Sequence, residues 1–157
     1  MLKHEINRGK AEALLNAFKY AIKEDYDIVV CLDADGQHNP CDIPKLLKPI
    51  IKDEADLVIG SRFLRKNMPK YRILGQKVLD TFTNFASEIK VTDSQSGFRA
   101  LTRKVLEYLK DFRSEGYSIE SDMIAFLAGK VRIKEVPIDV RYDVPNKHKK
   151  NPFVHGV

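Results

Sequence analysis

Residues 27–41 read DIVVCLDADGQHNPC, and this stretch decides the fold. Ile28 to Leu32 is short, β-branched and continuously apolar, the pattern of a strand covered on both faces. It ends in two carboxylates, Asp33 and Asp35, one residue apart on a turn-forming Asp-Ala-Asp-Gly sequence. Two readings fit. The turn can simply end a strand, or the paired carboxylates can share a hard divalent cation that keeps several waters. A calcium hand is a poor third reading, because counting from Asp33 puts His38 at the glycine position and Pro44 at the terminal glutamate. Cys31, His38 and Cys41 lack an obvious fourth ligand, so a zinc site is not indicated; a core thiol and an exposed neighbour are expected.

Outward from this turn, elements alternate. Residues 8–23 carry Ala11, Leu14, Leu15, Phe18, Ala21 and Ile22 at helical spacing. DIPKLLKPII (residues 42–51) predicts a short helix N-capped by Asp42, with Pro49 ending or kinking it. DLVIG (56–60) is a second buried strand, and Ile73–Ile89 a long amphipathic helix. SGFRALTRKVLEYL runs from a short strand or turn into a helix; residues 121–128 are helical; VRIKEVPIDVRY is a strand edged by Pro137. The pattern predicts an α/β fold with a mostly parallel sheet flanked by helices. Ligands of such sheets bind beyond the carboxyl ends of the strands, where the Asp33–Asp35 turn lies.

Composition narrows the function classes. The chain has 157 residues, 31% charged and 43% hydrophobic, ordinary for one globular domain. No apolar run approaches the ~20 residues that span a bilayer. A net charge of +5 favours an anionic partner, and no nucleic-acid module is recognisable. Arg62, Arg65, Lys66, Lys70 and Arg72 interleave with Leu64, Met68, Tyr71 and Ile73, which suits a membrane surface; Lys147–Lys150 reads as a solvated tail. The expected location is cytoplasmic, peripheral at the cytoplasmic face of the membrane. Residues 1–144 are read as one folded domain and 145–157 as a basic tail.

Four stretches in order, NRGKAEAL (7–14), LDADGQHNP (32–40), IGSRF (59–63) and DSQSGFRALTR (93–103), resemble the family-2 glycosyltransferases of GT-A fold. They are most similar to the members that act on polyprenyl phosphates, such as dolichyl-phosphate mannose synthases. The resemblance implies inverting transfer of a sugar from a nucleotide-diphosphate donor, of the GDP-mannose or UDP-glucose class, to a polyprenyl phosphate. It implies Mg²⁺ or Mn²⁺ bound by Asp33 and Asp35, the catalytic carboxylates, with Gln37 completing or supporting the metal site. It places Arg62, Ser96 and Arg99 around the acceptor phosphate. Bland alternatives are a solvated Arg62 and an Arg99 ion-paired with Asp93 or Glu120. In SIESDMI (118–124), Glu120 and Asp122 resemble the base region of relatives that use hydroxyl acceptors, or are ordinary acids at a helix N-terminus.

The chain departs from the family pattern at both ends. The opening strand-turn that supports the nucleoside has no counterpart before Asn7, so the resemblance implies a domain incomplete at its N-terminus, inactive as it stands or pairing with a second copy through an exposed edge. After the last strand, Asp143 falls where an arginine is usual, with Arg141 nearby, and His148-Lys149 replaces Ser-Lys. An inactive remnant of the fold is the non-enzymatic alternative. A sugar nucleotidyltransferase would show an N-terminal glycine-rich loop, and none is present.

Overall fold

A computed structural model describes residues 3–62, 91–113 and 118–141 of the chain. The expected helix at 73–89, the basic residues at 65–72 and the tail from 145 lie outside the described residues.

Helix α1 (Gly9–Lys23) follows the predicted periodicity and buries Leu15, Phe18 and Ala21. At its start the Asn7 side chain accepts the Gly9 N–H at 2.9 Å. At its end Asp25 adopts a left-handed φ of 60°, and the Tyr26 N–H reaches back to the Ala21 carbonyl at 3.0 Å. The chain then enters β1 (Ile28–Cys31). A 3₁₀ turn at Pro40–Asp42, capped by the Asn39 side chain, leads into α2 (Ile43–Ile51) and then β2 (Leu57–Ser61). Further on, β3 (Arg99–Thr102) passes directly into α3 (Arg103–Leu109), followed by α4 (Ile119–Leu127) and β4 (Ile133–Pro137).

Two details of α2 differ from expectation. Asp42 makes no capping bond; its carboxylate instead accepts the Asp139 N–H at 2.7 Å and pairs with Lys45. Pro49 sits inside the helix, which continues to Ile51. A proline this close to the C-terminus removes one intrahelical bond and leaves the rest intact.

The strands form one sheet in the order β1-β3-β2-β4. Here the expectation of a mostly parallel sheet needs correcting. Strands β1, β2 and β4 run in one direction, but β3 lies reversed between β1 and β2, so only the β2–β4 pair is parallel. The direction of a strand leaves no trace in its own apolar pattern, which is why periodicity alone misses this. A second correction concerns β1. All four of its residues are half-buried, because β1 is the edge of the described sheet; the strand buried throughout is β2. Pro137, as expected, sits on the other edge strand, where a missing N–H costs no ladder bond on the open side.

Alternation along the strands divides the core between two faces. Leu57, Ile59 and Leu101 pack with Leu15 and Phe18 of α1, Leu106 of α3 and Ile124 of α4. Val58 and Ala100 point the other way and pack with Leu46 of α2, Phe98 and Ile138. The result is a helix–sheet–helix sandwich. Because β3 is reversed, its N-terminal end meets the C-terminal ends of β1, β2 and β4: Cys31 pairs with Arg99, and Ser61 with Pro137. One rim of the sheet therefore gathers the described residues of the four motifs, NRGK, DADGQ, GSR and SQSGFR.

Candidate functional site

The first wall of this rim is the Asp33–Asp35 turn. Gly36 takes a left-handed φ of 76°, which closes the turn. Asp35 Oδ1 accepts the Gln37 N–H at 2.9 Å, and the Asp33 N–H donates to His38 Nδ1 at 3.2 Å. Burial lowers the pKa of His38, keeping the imidazole neutral as an acceptor nitrogen requires. The imidazole packs tilted on Phe98, with centroids 5.2 Å apart. Downstream, His38 bridges Val140, and the Gln37 carbonyl accepts the Arg141 N–H at 2.9 Å. The turn is thus docked on the segment after β4, and Gln37 is tied in through its backbone.

The Asp33 carboxylate is held from two sides. Its Oδ1 receives Lys10 Nζ of α1 at 2.7 Å. On its other side lies Gly97, where an added Cβ would come within 2.5 Å of Oδ2. Lys10 also meets Glu120 Oε1 of α4 at 2.6 Å, as an ion pair off the hydrogen-bond axis, while Glu120 Oε2 accepts the Ser118 hydroxyl at 2.9 Å. Burial alone would raise the pKa of Glu120, but Lys10, a backbone N–H and the Ser118 hydroxyl together outweigh it, and the carboxyl is held below its ordinary value. For Lys10 the same contacts overcome the effect of burial and raise its pKa. Lys10, Asp33, Arg99 and Glu120 rim a partly enclosed cavity of about 50 Å³ whose walls include Leu14, Phe18, Cys31 and Met123. Burial pushes the Cys31 thiol up to about 11, so it is an inert wall residue, and Cys41 is free and exposed. Asp122, in the same first turn of α4, is half-buried and does not line this cavity.

The second wall is the loop before β3. Arg62, just past β2, is gripped by Asp93: Nε and Nη2 donate to the carboxylate at 2.7 and 2.6 Å, and the Arg62 N–H at 3.0 Å. Glu135 of β4 accepts the backbone N–H groups of Thr92 and Asp93 at 2.9 and 3.0 Å, fixing Asp93 in turn. Ser96 is fully buried, and its hydroxyl donates to the Gly60 carbonyl at 2.6 Å. Arg99 is 2% exposed, with its guanidinium donating to the carbonyls of Ser96, Glu120 and Ser94 at 2.8, 2.8 and 2.7 Å. Burial draws its pKa down to about 10, so it stays charged at neutral pH. Of the three expected phosphate-site residues, Arg62 is set by an ion pair, while Ser96 and Arg99 hold the loop itself. Arg99 does meet Glu120, one of the partners weighed for it, through the backbone carbonyl.

The donor set offered by Asp33 and Asp35 is two hard carboxylates on one turn. In kind it suits Mg²⁺ or Mn²⁺, with remaining ligands coming from water or an incoming diphosphate. Among the described residues no cluster of three His, Cys, Asp or Glu side chains could enclose a metal unaided. Sequence reasoning missed Lys10, Gly97 and His38 as site residues. Lys10 and Gly97 stand inside the NRGK and SGFR motifs already singled out, so the signal was present without a role attached to it.

Comparison with known proteins now decides the family. A family model described as glycosyl transferase family 2 matches residues 1–110. The chain belongs to this family. It is 40% identical, over 90% of its length and 59% of the relative's, to the UDP-N-acetylglucosamine–dolichyl-phosphate N-acetylglucosaminyltransferase of Methanococcus voltae. It is 33% identical to the polyprenol monophosphomannose synthase of Mycolicibacterium smegmatis, over 73% of the chain and 45% of the relative. With the dolichol-phosphate mannosyltransferase of Saccharomyces cerevisiae it shares 34% identity, over 83% of the chain and 50% of the relative. The chain therefore spans about half the length of these curated relatives. The α/β architecture read from the sequence is that of the structure, with the corrections to strand direction given above.

Proposed function

We propose that this chain transfers a sugar from a nucleotide-diphosphate donor to a polyprenyl phosphate, with inversion at the anomeric carbon. The observation that carries this reading is the convergence at one rim of the sheet. There the Asp33–Asp35 turn lies against the Ser96–Arg99 loop, with Gly97 beside the Asp33 carboxylate, and the Arg62–Asp93 pair sits just past the end of β2 on the same rim. The names of the three relatives described above, sugar transferases of the dolichyl- or polyprenyl-phosphate type, support the same acceptor class.

In this reading Asp33 and Asp35 hold a divalent cation, with Gln37 supporting the turn. When bound, Mg²⁺ or Mn²⁺ would supply positive charge to offset the negative charge building on the leaving diphosphate. Arg62 draws the acceptor phosphate, and Asp93 orients its guanidinium fork. An oxygen of that phosphate attacks the anomeric carbon as the bond to the diphosphate breaks, and the electron pair leaves with the diphosphate. The attacking oxygen is already anionic near neutral pH, so no general base is needed. Glu120 agrees with this: its ion pair with Lys10 stabilises the carboxylate and makes it a poor proton acceptor. A hydroxyl acceptor served by Glu120 or Asp122 is correspondingly less well supported. Among the described residues no helix is long and apolar enough to cross a membrane. The proposed reaction places the chain peripherally, at a membrane surface carrying the lipid acceptor.

The test is calorimetric titration of the 157-residue chain with GDP and UDP, with and without Mn²⁺, beside Asp35→Ala. Manganese-dependent binding that disappears in the variant supports the donor site and shows which base is preferred. Absence of binding by either nucleotide overturns the donor-site reading for this chain and favours a remnant of the fold that does not catalyse transfer.

A further inference from the structure

The motif residue without a role so far is Lys10. A surface lysine ordinarily keeps its ammonium in water, yet Lys10 Nζ lies 2.7 Å from Asp33 Oδ1 and 2.6 Å from Glu120 Oε1. The two carboxylates come from distant parts of the chain, one on the turn after β1 and one in the first turn of α4. The ammonium bridges them. The Glu120 side chain is 11% exposed, so this contact and the Ser118 hydroxyl support its charge, whereas Asp33 is 37% exposed and can also be neutralised from solvent.

A divalent cation held by Asp33 would share that carboxylate with the Lys10 ammonium. The Lys10 ammonium already occupies the same neighbourhood, and two cations so close repel each other. Metal and ammonium therefore compete for Asp33. Glu120 gives the displaced ammonium a place to stay beside the site, because the second half of the bridge survives when the first is broken. A diphosphate arriving with the metal reverses the balance: the same ammonium then faces added negative charge.

From this geometry we infer that Lys10 is a counter-charge that opposes binding of the metal ion alone and favours binding of the metal together with the donor diphosphate. It makes occupation of the carboxylate pair depend on the nucleotide. This inference rests on the donor-site reading above and adds to it a residue that touches the donor.

The experiment compares wild type, Lys10→Met and Lys10→Arg. Affinity for Mn²⁺ alone is read by electron paramagnetic resonance, and affinity for GDP and UDP in saturating Mn²⁺ by calorimetry. For Lys10→Met the expected result is Mn²⁺ binding roughly fivefold tighter and nucleotide binding about tenfold weaker. Lys10→Arg, which keeps the charge, should stay near wild type in both. A lysine with a merely structural role cannot move the two constants in opposite directions. The inference is overturned if both weaken together in Lys10→Met or if neither changes, while wild type still binds nucleotide. If wild type binds neither nucleotide, the donor-site reading itself falls, and this inference with it.

Discussion

Asp56 is 4% exposed, and its carboxylate accepts the Arg132 N–H at 2.8 Å and the guanidinium at 3.1 and 3.0 Å, with Lys104 at 3.3 Å. The Arg132 hydrogen bonds hold its pKa well below the ordinary carboxylate range. The sign of the pH dependence follows. The native state binds fewer protons here than the unfolded chain, so the contribution is complete above roughly pH 4 and drains away as pH falls below that. Asp56→Asn should lower the urea midpoint at neutral pH and show a flatter stability loss toward about pH 3 than wild type. Asp56→Ala should cost about 2–3 kcal/mol at neutral pH. At the site, Gly97 has a comparable one-residue constraint. A Cβ there would lie 2.5 Å from Asp33 Oδ2 and 2.9 Å from its Cγ, so Asp33 must turn away. Gly97→Ala is expected to weaken Mn²⁺ binding about tenfold while costing only about 1 kcal/mol of stability. Equal Mn²⁺ affinity in the two proteins would show that the Asp33 side-chain position does not matter to the metal.

At the scale of elements, β3 and the loop before it are tied together by one buried side chain. The Arg99 guanidinium closes three carbonyls, two on the loop and one at the start of α4. Methionine fills similar space without donors, leaving those carbonyls unpaired in the interior. Arg99→Met should therefore destabilise the chain by about 3 kcal/mol or more, with loss of amide-exchange protection centred on residues 94–98 and 119–121. Protection lost uniformly across the sheet instead would argue that Arg99 supports global stability and not this junction. The elements themselves were largely legible in the residues. Helix α1, β2 with its apolar run, and the passage from β3 into α3 all lie where periodicity puts them. The Asp42 cap was not legible, because the partner that takes its carboxylate, the Asp139 N–H, is 97 residues away.

For the whole molecule, the net charge of +5 and the proposed lipid acceptor predict a salt-dependent surface association. The chain should co-sediment with vesicles containing anionic lipid and lose most of that binding in high salt, while neutral vesicles bind little at any salt. Retention on neutral vesicles in high salt would point to apolar insertion as the main force. Binding to neither kind would remove the peripheral-membrane placement.

What the sequence determined by itself was everything that depends on neighbours along the chain. The apolar run ending at the Asp33–Asp35 turn, the helical stripe of α1 and the order of the four family motifs needed no coordinates. The tertiary structure alone decided how those pieces face one another. It reversed β3 between β1 and β2, left β1 at the edge of the described sheet, turned Arg99 inward onto three carbonyls, and brought Lys10 onto Asp33 and Glu120. The physical reason is range. Periodicity and turn chemistry act over a few residues, whereas a strand partner or an ion pair across 110 positions follows from packing the two apolar faces of the sheet at once.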